Sequence, residues 1–294
     1  MKKVLLATSA LVASAGIASA DITLSGSADI GVKDTGATNT GGYLHNEIDF
    51  NIVASTTTDA GYTFGASVDI DDQTGSTAGS VADQETYISG PFGKVTVGDV
   101  DPAADGHGLA EVGFDGIGAD DDLDGLRYGS AVADVVFSTT VESMSVTLSY
   151  AAGTTAAGAA SDGDFGVLVG FDAGEFGVTV GYSDDSSVAS GGAGAGATSL
   201  GLTYSVGGIS LAGFFADDSV NSGSGFSASY ALDANTTISA VYNSTDITSD
   251  KSDFGIGFST NLGGGVKLAG GIGRVDATAG TSETAADLGF NIAF

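Results

Sequence analysis

No cysteine occurs in the 294 residues. An exported chain of this composition must therefore fold without disulfides, and it carries no thiol nucleophile or thiolate metal site. Basic residues are nearly as scarce: 8 Lys and Arg stand against 37 Asp and Glu, for a formal charge of −29. That excludes nucleic-acid binding by phosphate neutralisation. It also argues against a basic helix lying on a membrane surface. Cations, divalent ions or cationic solutes are the partners such a charge suits. Proline occurs twice against 48 glycines, and 42% of the chain is apolar. Collagen-like and disordered chains do not have that balance. The absence of tryptophan removes one common girdle residue of membrane barrels, a place that Tyr and Phe can take. With only His45 and His107, a zinc site is not expected. No G-x-S-x-G occurs and neither histidine sits in a triad setting, so no catalytic constellation emerges.

What is present begins with a leader. Met1-Lys2-Lys3, an apolar run from Val4 to Ile17 and a small-residue end, Ala18-Ser19-Ala20, make a secretory signal peptide. The run is too short and too rich in Ala and Ser for a membrane helix, and no other stretch approaches the roughly 20 apolar residues required. Cleavage would leave one domain, residues 21–294. The leader holds two of the eight bases and no acid, so the mature charge would be −31.

From Asp21 onward the chain alternates with period 2. In Phe176-Gly177-Val178-Thr179-Val180-Gly181-Tyr182, large apolar residues alternate with Gly and Thr. Tyr62 to Ile70, Ile22 to Val32, Glu47 to Ala54, Ser145 to Tyr150, Leu200 to Val206, Phe254 to Phe258, Val266 to Ile272 and Leu288 to Phe294 do the same. Alternation places one set on each face of a sheet. No segment beyond the leader shows a helical period. Connectors alternate between seven short turns and eight longer polar loops, which divides the chain into sixteen strands. The expected fold is all-β: a transmembrane antiparallel β-barrel. The alternative is a large soluble β-protein. Against it, the polar phase is Gly, Ser, Thr, Asn and Asp rather than Lys, Glu and Arg, while every strand carries an apolar phase. Only a closed barrel leaves no unpaired backbone in hydrocarbon. Sixteen strands about 4.8 Å apart and tilted make a barrel roughly 30 Å across. Gly, Ser and Thr cannot fill it, so a water-filled lumen is expected.

The stretch 101–126 breaks the alternation. It carries eight acids and no Lys or Arg. A loop this long is functional or disordered; we expect it to fold into the lumen and narrow it, the alternative being an acidic surface loop. Its acids Glu111, Asp115, Asp120, Asp121, Asp122 and Asp124 are candidate constriction residues. Asp29, Glu47, Asp49 and Asp69 share the phase of their Gly, Ser or Asn neighbours and are expected to face the lumen. Arg127 is expected to pair with Asp120, Asp122 or Asp124 and pin the loop exit to the wall. Asp120 to Gly125 reads as the first half of an EF-hand, but position twelve is Ala131 and the bidentate Glu is missing. A looser calcium site on Asp120, Asp122 and Asp124 is the remaining expectation, because carboxylates this dense repel unless neutralised. His107 in this stretch would titrate near neutral pH if solvated. The Gly191–Gly196 string has no P-loop pattern and reads as an exposed loop.

Several segments resemble one family. Asn51 to Ala66 resembles the β2–turn–β3 hairpin of the trimeric general porins of Rhodobacter-type bacteria. Lys94 to Asp101 and Thr284 to Phe290 are similar to that family's fifth-strand end and last strand. Asp124-Gly125-Leu126-Arg127-Tyr128 resembles the loop exit into β6 of wider Gram-negative porins. The terminal Phe294 is similar to the C-terminal Phe read by the outer-membrane assembly machinery. The resemblance implies a homotrimer of sixteen-stranded barrels in the outer membrane, among lipid and lipopolysaccharide. It also implies an inward third loop whose acids face basic residues, and calcium in that region. The chain departs from the pattern by placing Asp29, Glu47, Asp49 and Asp69 where related porins carry Arg or Lys. Only Lys33, Lys94, Arg127, Lys251, Lys267 and Arg274 remain as positive charge in the mature chain, which puts a strong transverse field in doubt.

The function expected is passive diffusion of small hydrophilic solutes and ions with a preference for cations, since acids around a narrow wet passage concentrate cations. The alternative from another class is a secreted calcium-binding structural or adhesive β-protein, although the nonapeptide repeat of such chains is absent.

Overall fold

The computed structural model describes residues 21–36, 41–73, 80–127, 132–151, 163–184, 196–247, 251–277 and 281–294. The expected leader, Tyr128, Ala131 and residues 191–195 of the glycine string lie outside the described residues.

The strands are β1 (Asp21–Asp34), β2 (Tyr43–Thr57), β3 (Thr63–Gln73), β4 (Ser80–Gly90), β5 (Gly93–Val100), β6 (Ala133–Val141), β7 (Met144–Tyr150) and β8 (Phe165–Ala173). They continue as β9 (Phe176–Asp184), β10 (Ala197–Val206), β11 (Ile209–Asp217), β12 (Ser222–Ala231), β13 (Thr236–Thr245), β14 (Lys251–Gly263), β15 (Val266–Ala277) and β16 (Thr281–Ala293). Each pairs antiparallel with its sequence neighbours, and β1 closes on β16. Turns such as Gly207-Gly208 gather at one end and the loops at the other, as the connector lengths predict.

The period-2 pattern becomes an inside and an outside. On β10, Leu200 and Leu202 are exposed on the outer face while Ser199 is fully buried on the inner one. Ile22, Leu24, Ile30, Phe64, Phe215, Ile256 and Leu288 likewise stand outward on their strands. Aromatic pairs mark both rims without tryptophan. Tyr62–Phe92 and Phe176–Tyr204 lie at the turn end, Phe165–Tyr182 and Phe226–Tyr242 at the loop end. The closing seam is tied by two backbone bonds between Gly26 and Phe294, whose ring packs edge-on to Phe50 at 5.7 Å.

Two helical turns interrupt the all-strand expectation: a 3-10 turn at Ala103–Gly106 and a five-residue helix, α1 (Asp121–Gly125). Both lie in the long β5–β6 connection and are too short to show a helical period. This connection also supplies the hydrophobic core. Leu109, Val112, Ile117, Leu123 and Leu126 are buried against Phe214, Ala216, Val241 and Ala285 of the wall. The lumen is therefore not wet throughout: part of it is a dry contact between an apolar loop face and the sheet.

Candidate functional site

The β5–β6 connection runs along the inner wall from β7 round to β1. The Ala103 amide donates to Ser149 Oγ on β7 at 2.9 Å. His107 bridges β9 and β10, its Nδ1 2.6 Å from Thr179 Oγ1 and its Nε2 2.7 Å from Ser199 Oγ. The Ala110 amide donates to Ser227 of β12 at 3.2 Å, and Asn243 of β13 donates to the Ala119 carbonyl. Lys251 of β14 pairs with Asp122 at 2.8 Å. On β16, Asp287 accepts the Phe114 and Asp115 amides at 2.9 and 3.2 Å, and Asn291 donates to the Phe114 carbonyl at 2.9 Å. Lys33 of β1 holds Asp115 by its carboxylate at 2.6 Å and its carbonyl at 2.9 Å.

Wall glycines let the segment come this close. Gly31 and Gly289 pair across β1 and β16, and a Cβ on either would lie 2.7 Å from the Phe114 ring. Gly257 and Gly271 pair across β14 and β15 and form the same kind of socket for Val112. Gly255 and Gly273 take Ile117, whose Cδ1 would sit 2.5 Å from a Cβ on either. A fully buried side chain of this size contributes about 1.5–3 kcal/mol, so the sockets hold the segment as much as the polar bonds do.

The described bonds leave the inner face of β3–β6 uncovered. There Asp69 accepts from Asn51, and Ser67 donates to Glu85 at 3.5 Å. Lys94 stands over the Tyr87 ring at 4.6 Å. A cavity of about 270 Å³ separates Glu85, Lys94 and Thr96 of this wall from Pro102, Asp105 and Gly106 of the segment. On β1 and β2, Asn291 donates to Asp29 at 2.8 Å and Ser27 to Asp49 at 3.2 Å. Asp29, Glu47, Asp49 and Asp69 thus lie on the inner face, all partly exposed.

Burial and crowding set the charge of the segment. Burial and the neighbouring Asp124, Glu111 and Asp121 raise Asp120 to about 7. The same two causes raise Glu111, which faces water beside Asp121. Burial also raises Asp124, with Arg127 opposing. Burial and then Arg127 lower His107 to about 4, so it is neutral, with both nitrogens engaged by hydroxyls.

Three expectations need correction. Asp120 is 3% exposed and is no lining charge of a wet passage; its place is the residue before α1. Arg127 does pair with Asp124, at 2.6 Å, but its second partner is Asp105. It therefore joins the exit of the segment to its entry, and the tie to the wall is Lys251–Asp122 instead. The calcium set does not converge. Asp122 is turned to Lys251, Asp124 to Arg127, and the half EF-hand run is largely the turn of α1, where the Asp120 carbonyl accepts the Leu123 and Asp124 amides. Among the described residues, Asp120, Asp122 and Asp124 do not bring one donor atom each within 4.8 Å of one another. Sequence reasoning also missed Asp105, Asp287, Asn243 and Asn291 as anchors. The apolar residues 109, 112, 114, 117, 123 and 126 among the acids were the available signal, since a solvated acidic loop has no use for them.

A family model described as Gram-negative porin matches residues 7–280. The chain belongs to the Gram-negative porin family. Among solved structures, one titled for the asymmetric conductivity of engineered proteins aligns with a TM-score of 0.76 at 21% identity. A multiply substituted Rh. blastica porin aligns at 0.75 and 20%, and a porin refined at 1.8 Å at 0.73 and 22%. Each alignment covers 93% of this chain and 100% of the other. At these identities the likeness shows the fold. No curated protein matches the sequence. As a porin with a closed sixteen-stranded barrel, the protein is an outer-membrane diffusion channel for small hydrophilic solutes. The outward apolar face and the family together set aside the secreted adhesive alternative.

Proposed function

We propose that this porin prefers cations, and that its passage runs between the β5–β6 segment and the uncovered β3–β6 wall, with Glu47 and Asp49 of β2 at its edge. One observation supports the reading above others: the acids on this route outnumber the free bases. Glu47, Asp49, Asp69, Asp71 and Glu85 lie on the wall side, Glu111 and Asp121 on the segment side. Lys33, Lys251 and Arg127 are spent on Asp115, Asp122, Asp124 and Asp105. A narrow water-filled route with that excess of fixed negative charge enriches cations and excludes anions. Asp115, Asp122 and Asp124 act as anchors in this account rather than as free charges, and no step uses bound calcium.

The same reading takes the mature chain to begin at Asp21, which is the first residue of β1. It takes the assembly to be a homotrimer embedded in outer-membrane lipid and lipopolysaccharide, with Phe294 as the assembly signal. The test of selectivity is the reversal potential of the purified porin in planar bilayers under a KCl gradient. Cation preference is the expected result; a potential of the opposite sign refutes the charge assignment.

A further inference from the structure

We propose that His45, Glu47 and Asp115 form a binding site for a divalent transition-metal ion such as Zn²⁺, linking the tip of the inward segment to the barrel wall. His45 and Glu47 are two apart on β2 and so share its inner face. Asp115 comes to them from the segment. One ligand atom from each of the three lies within 4.8 Å of the others, and among the described residues no other group of three His, Asp or Glu does this.

His45 supplies the second, independent sign of a ligand. It is 3% exposed, its Nε2 has no accessible surface, and that nitrogen makes no hydrogen bond. Its nearest carboxylate oxygen, Glu47 Oε2, is 3.3 Å away without hydrogen-bond geometry. That is also the spacing of two ligands on one tetrahedral zinc, since bonds of about 2.0–2.1 Å at the tetrahedral angle put ligand atoms roughly 3.3 Å apart. Asp115 Oδ2 lies nearer Nδ1, at 3.5 Å, so an ion on Nε2 and Glu47 draws the Asp115 carboxylate round the ring edge to reach it.

The ring is fixed in place. It packs edge-on to Phe114 at 5.5 Å, and Phe114 sits in the Gly31–Gly289 socket with its amide on Asp287. His45 and Asp115 are thus held by parts that do not depend on an ion. The charged groups facing His45 are Glu47, Asp115 and, through Asp115, Lys33. Lys33 also grips the Asp115 carbonyl at 2.9 Å, so the carboxylate can turn toward the ion while the lysine keeps its hold on the backbone. Glu47 and Asp115 are about a quarter exposed, which gives an ion entry from the water of the lumen.

The donor set selects the metal. One imidazole and two carboxylates, with water completing the shell, suit Zn²⁺ and its transition-metal neighbours. Ca²⁺ asks for six to eight oxygens, which this trio cannot give. Binding adds two positive charges beside the acidic passage and fastens the segment tip to β2. The bound porin is therefore expected to carry less cation current.

The test is titration of the full-length detergent-purified porin with Zn²⁺ by calorimetry and with Co²⁺ by its visible absorption. The variants are His45→Gln and Glu47→Gln, and Ca²⁺ is the competitor. The expected result is saturable binding of both metals, weakened about tenfold or more in each variant, since loss of a ligand exceeds the cost of losing a ligand's support. Micromolar Zn²⁺ should also lower the current of the wild type more than that of either variant. Absence of heat and of a visible band in the wild type overturns the proposal. So does equal affinity in His45→Gln, which would place the ion elsewhere, or displacement by Ca²⁺ as readily as by Zn²⁺. Because binding is read without current, the outcome is independent of the selectivity proposed above.

Discussion

Asp287→Ala should loosen the inward segment without opening the barrel. The Asp287 carboxylate accepts three backbone amides: Gly271 at 2.6 Å, Phe114 at 2.9 Å and Asp115 at 3.2 Å. The first lies within the sheet, where Gly271 and Asp287 are register partners, so its loss falls on β15–β16 rather than on the segment. The other two hold the segment tip. Hydrogen bonds to a charged group contribute about 1.5–3 kcal/mol each, and the buried Phe114 amide is left without its acceptor. Taking the lower figure for both bonds, docking weakens by about 3 kcal/mol, which is roughly a hundredfold in the open population. Hydrogen exchange read by mass spectrometry on the detergent-solubilised porin measures that population directly. Amides of residues 112–117 should exchange about a hundredfold faster in Asp287→Ala, while those of β9–β11 stay protected. Unchanged exchange at 112–117 in a folded variant would refute the claim that this carboxylate anchors the segment.

Other consequences can be checked in the same preparation. The docked Asp120 keeps a proton up to about pH 7 that a released segment gives up near its ordinary value of 3.8, so docking weakens as pH rises between these limits. His107 acts in the opposite sense. Held at about 4, it refuses a proton that a released segment accepts below about 6.5, so docking weakens as pH falls through that window. Asp120→Asn should remove the largest carboxylate contribution and unmask the histidine arm against the smaller ones of Glu111 and Asp124, visible as protease cleavage of the segment that speeds up on acidification from pH 7 to pH 5. Gly255→Ala places a methyl 2.5 Å from Ile117 Cδ1 and should cost about 1–3 kcal/mol of docking. Ile117→Val removes that carbon, so the double variant should recover part of the loss in a hydrogen-exchange cycle. Asp49→Asn with Asp69→Asn should shift the bilayer reversal potential toward zero, and an unchanged potential would place the passage away from that wall.

The barrel was legible because a wall one residue thick writes its two faces into alternate positions. Leu200 and Leu202 against Ser199 and Gly201 need no tertiary information to be assigned sides. Strand number followed from connector length alone. The inward segment was legible only as an interruption. Its anchors, Asp287 and Asn291, lie more than 170 residues away, and no local pattern distinguishes them from other polar residues on the inner face. The glycines misled for a related reason. In the alternating pattern Gly31, Gly257 and Gly273 read as small residues around water, yet each receives a ring or a branched side chain from the segment. Arg127 was partly legible: the acid three residues before it could be anticipated, but Asp105 reaches it only because the segment folds back on itself. His45, read as one of two histidines too few for zinc, gains its meaning from Asp115, seventy residues on.

Where water passes is the claim on which the rest depends, and the absence of native cysteine makes it directly measurable. Asp69→Cys lies on the uncovered wall, and Ser227→Cys lies beneath the segment, where the serine is 4% exposed and bonded to the Ala110 amide. A bulky water-soluble thiol reagent should cut the single-channel current of Asp69→Cys and leave that of Ser227→Cys unchanged. Block at Ser227→Cys with none at Asp69→Cys would contradict the account.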